Sequence, residues 1–294
     1  MADGDFLDLD WTLEKDGPIV VILHGLEGSS SSGYVHGLLR ALTVQGWRGV
    51  VMHFRGCSGV PNRLARSYNA GEIEDVAAAV AILRHREPAT PLACVGYSLG
   101  GNVLLKWLGE RGADVPLQAA VAVSVPFILD TAAQRLRRGF SRCYQAYLLR
   151  NLRASYRRKF SAQAQPPFPL QDLGSLGDFY AFDDKITAPL HGYLGVHDYY
   201  ARASCRQYLK GIEVPTLILH AADDPFMLPS AIPDAEELPE DVTLELSSQG
   251  GHVGFVAGSL PWRAVYWLEK RIPEFLAKYL EPGRRPAKAL HVAI

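Results

Sequence analysis

Short apolar runs and longer amphipathic stretches take turns along the first 125 residues. Residues 18–23 (PIVVIL), 50–54 (VVMHF), 92–95 (LACV) and 119–125 (AAVAVSV) are near-continuous apolar runs, the pattern of strands buried on both faces. Between them, 34–45, 72–86 and 99–109 read as helices; in 72–86, Ile73, Val76, Ala77, Val80 and Leu83 share one side. Two later runs, 216–220 (TLILH) and 242–246 (VTLEL), predict strands, and 262–280 predicts a closing helix kinked at Pro273. Strands alternating with helices predict an α/β fold, a mostly parallel, doubly wound sheet with right-handed crossovers. Reactive side chains in such sheets lie beyond the carboxyl ends of the strands.

The alternation fails between 127 and 212. This stretch holds a basic helical run, a Pro-Pro-Phe-Pro turn at 166–169 and the tyrosines Tyr193, Tyr199, Tyr200 and Tyr208. It is expected to be a helical lid inserted between two strands of a single 1–294 domain. Residues 281–294 are expected to form a poorly ordered tail.

Composition adds exclusions. The chain has 294 residues, 48% hydrophobic and 21% charged, and 30 basic against 31 acidic side chains give a formal net charge of −1. That balance gives no global pull toward nucleic acid or an anionic surface. The four cysteines, Cys57, Cys94, Cys143 and Cys205, show no CxxC spacing; reduced thiols in a cytoplasmic protein are expected. The acidic start, MADGDFLDLDW, does not read as a signal peptide, and no apolar run is long enough to predict a membrane span.

Chemistry enters with Gly96-Tyr97-Ser98-Leu99-Gly100. A GxSxG between a strand and a helix places its serine on a strained elbow, with the hydroxyl lifted above the sheet. Glycines at 96 and 100 remove the Cβ atoms that so tight a turn would bring into collision. The alternative, an N-cap serine in a glycine turn, explains the motif less well in this setting. A serine hydroxyl needs a base and an orienting acid, and on this fold they follow in the order Asp or Glu, then His. His191 and His197 fall in the expected lid, His220 ends a strand and His291 is in the tail. His252, in the glycine-rich loop 249–255 (QGGHVGF) after the last strand, is the candidate base. The acid is sought after the preceding strand, in 221–226 (AADDPF). Asp224 is chosen because Pro225 fixes the backbone beyond it; Asp223, given a turn or capping role, remains the alternative. Backbone N–H groups of Leu99 and of Leu26, in the loop 24–28 (HGLEG), are the candidate oxyanion donors. His24 is expected to shape that loop.

The segments HGLEG (24–28), GYSLGGN (96–102), ADDPF (222–226) and GGHVGF (250–255), with FRGCSG (54–59) and FDDKITAP (182–189), resemble the α/β-hydrolases, and within them the YheT-like (abhydrolase-4) branch. The resemblance covers most of 4–280. It implies the α/β-hydrolase fold and a carboxylic ester hydrolase with Ser98, Asp224 and His252 as the triad. The chain starts close to the first matching segment, so an N-terminal strand of longer relatives is expected to be missing and the first sheet edge incomplete.

Residues 131–171 contain nine Lys or Arg and no Asp or Glu, interleaved with Tyr144, Tyr147, Leu148, Leu149, Leu152 and Tyr156. A solvated lid face is the plain expectation; peripheral contact with an anionic membrane is the sharper one. No nucleic-acid motif accompanies the charge. The expected activity is ester hydrolysis through an acyl-enzyme, with no metal or organic cofactor and a small-molecule ester, acyl- or lipid-like, as substrate. Acyl transfer on the same triad, or a receptor or scaffold keeping the pocket with little turnover, are the alternatives.

Overall fold

The computed structural model describes residues 1–13, 16–258 and 264–281. Seven strands form one sheet: β1 (Leu9–Trp11), β2 (Ile19–Leu23), β3 (Arg48–Met52), β4 (Leu92–Tyr97), β5 (Ala119–Val123), β6 (Thr216–Ala221) and β7 (Val242–Ser247). Their order is β1-β3-β2-β4-β5-β6-β7, and every neighbouring pair is parallel except β1 with β3. β8 (Val256–Ala257) and β9 (Val265–Tyr266) pair separately.

Each central strand is buried along its whole length because its two sets of side chains serve two different cores. Val21, Leu23, Cys94, Ala120 and Ile218 point into one; Val20, Ile22, Val95, Val121 and Leu219 point into the other. The helices α2 (Glu74–Arg86) and α3 (Leu99–Arg111) close the first core, and α1 (Gly33–Gln45) and α9 (Leu268–Leu280) close the second. The doubly wound α/β architecture expected from the pattern, and the α/β-hydrolase fold that the resemblance implies, are the ones observed.

Two expectations need correcting. The first sheet edge is not bare: β1 pairs antiparallel with β3, Leu9 opposite Met52 and Trp11 opposite Val50. Leu7-Asp8-Leu9-Asp10-Trp11 alternates apolar and polar, the signature of a half-buried edge strand. Arg55 anchors this segment, its guanidinium lying 2.8 Å from Asp3, 2.9 Å from Asp5 and 2.6 Å from Asp75. The closing helix starts at Leu268, since Val265 and Tyr266 extend as β9, and it runs on through Pro273. Trp262, and 282–294 of the expected tail, lie outside the described residues.

Between β5 and β6 the chain makes a long helical excursion. It contains α4 (Leu129–Leu136), α5 (Ser141–Phe160), α6 (Phe179–Phe182), a π turn (Asp183–Thr187), α7 (Ala188–Leu190) and α8 (Val196–Ala203). Leu136, Leu149, Phe160, Phe182 and Tyr199 bury themselves in the first core. Asn102, on the first turn of α3, ties the excursion down: its amide donates to the carbonyls of Ala70 and Ala203, both at 2.9 Å, and accepts from the Cys205 N–H at 3.0 Å.

Candidate active site

The carboxyl ends of β2, β4, β5, β6 and β7 all feed one point. β4 runs straight into Ser98, whose φ of 51° and ψ of −117° place a non-glycine residue in a costly region of backbone space. The surroundings leave it no choice. A Cβ on Gly96 would stand 2.5 Å from the Gly100 carbonyl oxygen, and one on Gly100 would stand 2.5 Å from that of Leu23. The Ser98 N–H donates to the Val123 carbonyl on β5 at 2.8 Å. Helix α3 begins at Leu99, so the unpaired first-turn N–H groups and the positive dipole end face the serine.

Ser98 Oγ lies 2.8 Å from His252 Nε2, and His252 Nδ1 lies 2.8 Å from Asp224 Oδ2. With the carboxylate accepting from Nδ1–H, Nε2 is left as an acceptor facing the hydroxyl. The Asp224 side chain is 1% exposed and that of His252 14%; Asp224 also accepts from the Phe226 N–H at 2.8 Å through Oδ1. Asp223 takes the other direction. Its Oδ1 accepts from the Gly250 and Gly251 N–H groups, each at 2.9 Å, and so fastens the start of the loop that carries His252.

The turn after β2 comes close beside the elbow: a Cβ on Gly25 would sit 3.4 Å from that of Ser98. The Gly25 N–H donates to Tyr34 Oη at 2.8 Å and the Glu27 N–H to Tyr68 Oη at 3.0 Å. The N–H groups of Leu26 and Leu99 have no hydrogen-bond partner among the described residues, and both residues line the cavity next to Ser98. His24 shapes this turn, as its sequence position suggested. It is fully buried, Nδ1–H donates to the Gly25 carbonyl at 2.7 Å, and Nε2 accepts from the Phe54 N–H at 3.1 Å. Desolvation lowers its pKa to about 4 and keeps it neutral.

Several neighbours were not visible in the sequence. The Phe226 ring stacks on the His252 imidazole, centroids 4.0 Å apart and planes 15° apart. Ser124, at a φ of 52°, donates its hydroxyl to the His252 carbonyl. Neither role leaves a signal in a single sequence: Phe226 is one more apolar residue after a turn, and Ser124 lies inside an apolar strand run. His191 and His197 sit in the excursion, away from this chain of hydrogen bonds.

Ser98 and His252 open into a cavity of about 390 Å³, within the range of small-molecule sites. Most of its wall is apolar and comes from the excursion, with Leu129, Leu136, Leu148, Leu152, Phe179 and Phe182 prominent. Asp183 also lines it; burial raises its pKa to about 6, against hydrogen bonds from Tyr200 at 2.7 Å and Thr187 at 2.6 Å.

A family model of the alpha/beta hydrolase fold matches residues 18–259, and the chain belongs to that family. Within it, the chain is 48% identical over 286 residues to the Escherichia coli (strain K12) protein named "Putative esterase YheT", covering 96% of this chain and 84% of the other. It is 30% identical over 293 residues to the Mus musculus protein "Phospholipase ABHD3", covering 96% and 71%. Among solved structures it is similar to the Pyrococcus furiosus esterase Pf2001, with a TM-score of 0.60, 17% identity and 95% and 88% of the two chains covered. That last likeness concerns the fold alone.

Proposed function

We propose that the protein is a serine hydrolase of carboxylic esters, working through an acyl-enzyme on Ser98, His252 and Asp224. The observation that carries this reading is the unbroken run of hydrogen bonds, hydroxyl to imidazole to buried carboxylate, at the mouth of an apolar cavity. Ser98 Oγ attacks the acyl carbonyl as His252 Nε2 takes its proton. The carbonyl oxygen becomes an oxyanion that accepts from the Leu26 and Leu99 N–H groups. Collapse breaks the ester C–O bond, and His252 returns the proton to the leaving alkoxide. Water, deprotonated by His252, then attacks the acyl-Ser98 carbonyl, and the carboxylic acid leaves as Ser98 regains its proton. Asp224 keeps the imidazole in the required tautomer and stabilises its cation. Phe226 limits the tilt of the ring.

The substrate is a small ester with an apolar acyl group, since the excursion gives the cavity mostly carbon to meet it with. The four cysteines are unpaired, which agrees with a reducing compartment, the cytoplasm. No helix among the described residues is long and apolar enough to cross a membrane.

The test uses a fluorophosphonate probe and p-nitrophenyl esters of several chain lengths. Wild type is expected to label and to turn over; Ser98→Ala is expected to lose labelling and at least about 10⁴-fold of the turnover. Labelling that survives the substitution removes Ser98 as nucleophile. Labelling without turnover on any ester points instead to a receptor that has kept the pocket.

A further inference from the structure

Helix α5 carries a feature that ester hydrolysis does not require. Phe140, just before its first turn, is 74% exposed, Tyr147 60% and Tyr144 38%. These residues follow helical spacing and stand on one side of the helix. Phe140 meets Tyr144 edge to face, centroids 5.7 Å apart, and Tyr144 reaches Phe226, the ring stacked on His252, at 5.0 Å. Tyr144 and Tyr147 also line the cavity. The exposed aromatic stripe is therefore continuous with the opening above Ser98.

Charge is segregated to the same place. The nine cations and no anions of 131–171 leave 21 basic against 31 acidic side chains for the rest of the chain. Arg137 is paired with Asp178 at 3.1 Å. Arg138, Arg142, Arg150 and Arg157 are exposed, and among the described residues none of them has a carboxylate partner. Arg150, three residues past Tyr147 on α5, and Arg138, in the turn before Phe140, put unpaired cations beside the rings, and together they form an interfacial surface: rings enter the headgroup layer and cations meet its negative charge. A chain of net charge −1 has no general attraction to such a layer, so any attraction arises locally at this face.

We propose that the Phe140–Tyr147 end of α5, with Arg138 and Arg150, docks the protein on an anionic lipid surface, with the cavity mouth facing the bilayer. Docking covers the aromatic stripe and brings the opening to where apolar esters are concentrated. A polyanion such as RNA meets the charge but leaves the link between stripe and apolar cavity without a purpose.

The experiment is flotation of the full chain with vesicles of phosphatidylcholine, with or without about 30% phosphatidylglycerol, at about 50 and about 300 mM salt. Binding to the anionic vesicles is expected to exceed that to the neutral ones by at least about tenfold and to fall steeply with salt. Arg138→Gln with Arg150→Gln is expected to weaken it about tenfold or more, while Phe140→Ser weakens it severalfold and keeps the salt dependence. Val44→Ser, at an exposed apolar position on α1, is the control and is expected to bind as wild type. Equal binding to both vesicles, or arginine variants that float like wild type, overturns the proposal. So does salt-sensitive binding of an RNA oligonucleotide with no flotation. Flotation needs no turnover and is repeated with Ser98→Ala, so this proposal and the esterase reading fail separately.

Discussion

The carboxyl edge of the sheet and the helical excursion above it share one cavity, but different constraints build them. At the edge, backbone meets backbone. Gly96 and Gly100 exist because a Cβ at either would press on a carbonyl oxygen, and Ser98 is held at a positive φ by that packing. In the excursion, side chain meets side chain: Leu148 and Leu152 of α5 and Phe179 and Phe182 of α6 together line the cavity. A backbone constraint accepts one residue type, whereas a side-chain wall accepts many of similar volume. Chemistry should therefore be brittle at the edge, and selectivity adjustable in the excursion.

The sharpest way to break this contrast lies at two adjacent aspartates. Asp224→Asn removes the charge that orients His252 and is expected to lower kcat by about 10⁴-fold. Asp223→Asn leaves a carbonyl oxygen able to accept from Gly250 and Gly251 and should cost no more than about tenfold in kcat. Steady-state kinetics on one soluble ester reads both. Equal losses would mean that the loop, not the buried carboxylate, sets the imidazole.

Next in size is the elbow itself. Gly100→Ala puts a methyl group 2.5 Å from Leu23 O and 2.6 Å from His24 O; neither carbonyl belongs to a side chain that can swing away. A loss of about 3–5 kcal/mol in urea unfolding is expected, with any folded remainder labelling slowly at Ser98. In the excursion, Leu148→Ala, at a half-buried cavity position, should stay within about 2 kcal/mol of wild type.

How much of this could be read beforehand follows the same division. The glycines of the elbow, the His252 loop and the aspartate pair were legible because a strand, a turn and a residue type had to coincide at each. The sheet was legible from its unbroken apolar runs. The edge strand β1 leaves only the short alternation Leu7-Asp8-Leu9-Asp10-Trp11, too brief to stand out from a loop. The cavity wall was beyond reach for a physical reason. On α5, Ser141, Gln145 and Leu149 are buried, Leu148 and Leu152 are half-buried along the cavity, and Tyr144 and Tyr147 are exposed at its mouth. A single helix facing three environments shows no single apolar stripe. Phe226 and Ser124 touch His252 only after the whole chain has folded.

Acid unfolding offers a smaller test. Desolvation lowers His24, His191 and His220 each to about 4, so between pH 6.5 and 4 the unfolded chain takes up protons that the folded chain refuses. Stability therefore falls as pH drops through that window. Asp183 acts in the opposite sense: its pKa of about 6 lets the folded chain hold a proton that the unfolded chain releases. His191 and Asp183 both belong to the excursion and nearly cancel; His24 and His220 belong to the sheet edge and do not. The net slope is about two protons, or about 3 kcal/mol per pH unit at its steepest. His220, 1% exposed and packed against Phe127 with neither ring nitrogen hydrogen-bonded among the described residues, is the residue to change. In urea titrations across pH, His220→Phe should reduce the slope to about one proton; an unchanged slope would remove His220 from the acid sensitivity.

The smallest effect probes the other side of the comparison. Leu152 sits half-buried on the cavity-facing side of α5, two turns from Tyr144. A larger ring there, as in Leu152→Phe, fills space that an acyl chain would occupy without touching the Ser98–His252–Asp224 hydrogen bonds. The ratio of kcat/KM between a long and a short p-nitrophenyl ester is expected to fall by about tenfold, the effect of one or two methylenes denied a place. The rate of labelling by a small fluorophosphonate should stay within about threefold, because on the proposed reading that probe needs Ser98 and the N–H groups beside it and little of the wall. If the long and short esters slow equally, the wall acts through the alignment of the nucleophile rather than through space for the acyl chain. The excursion would then belong to the catalytic machinery as fully as the sheet edge does.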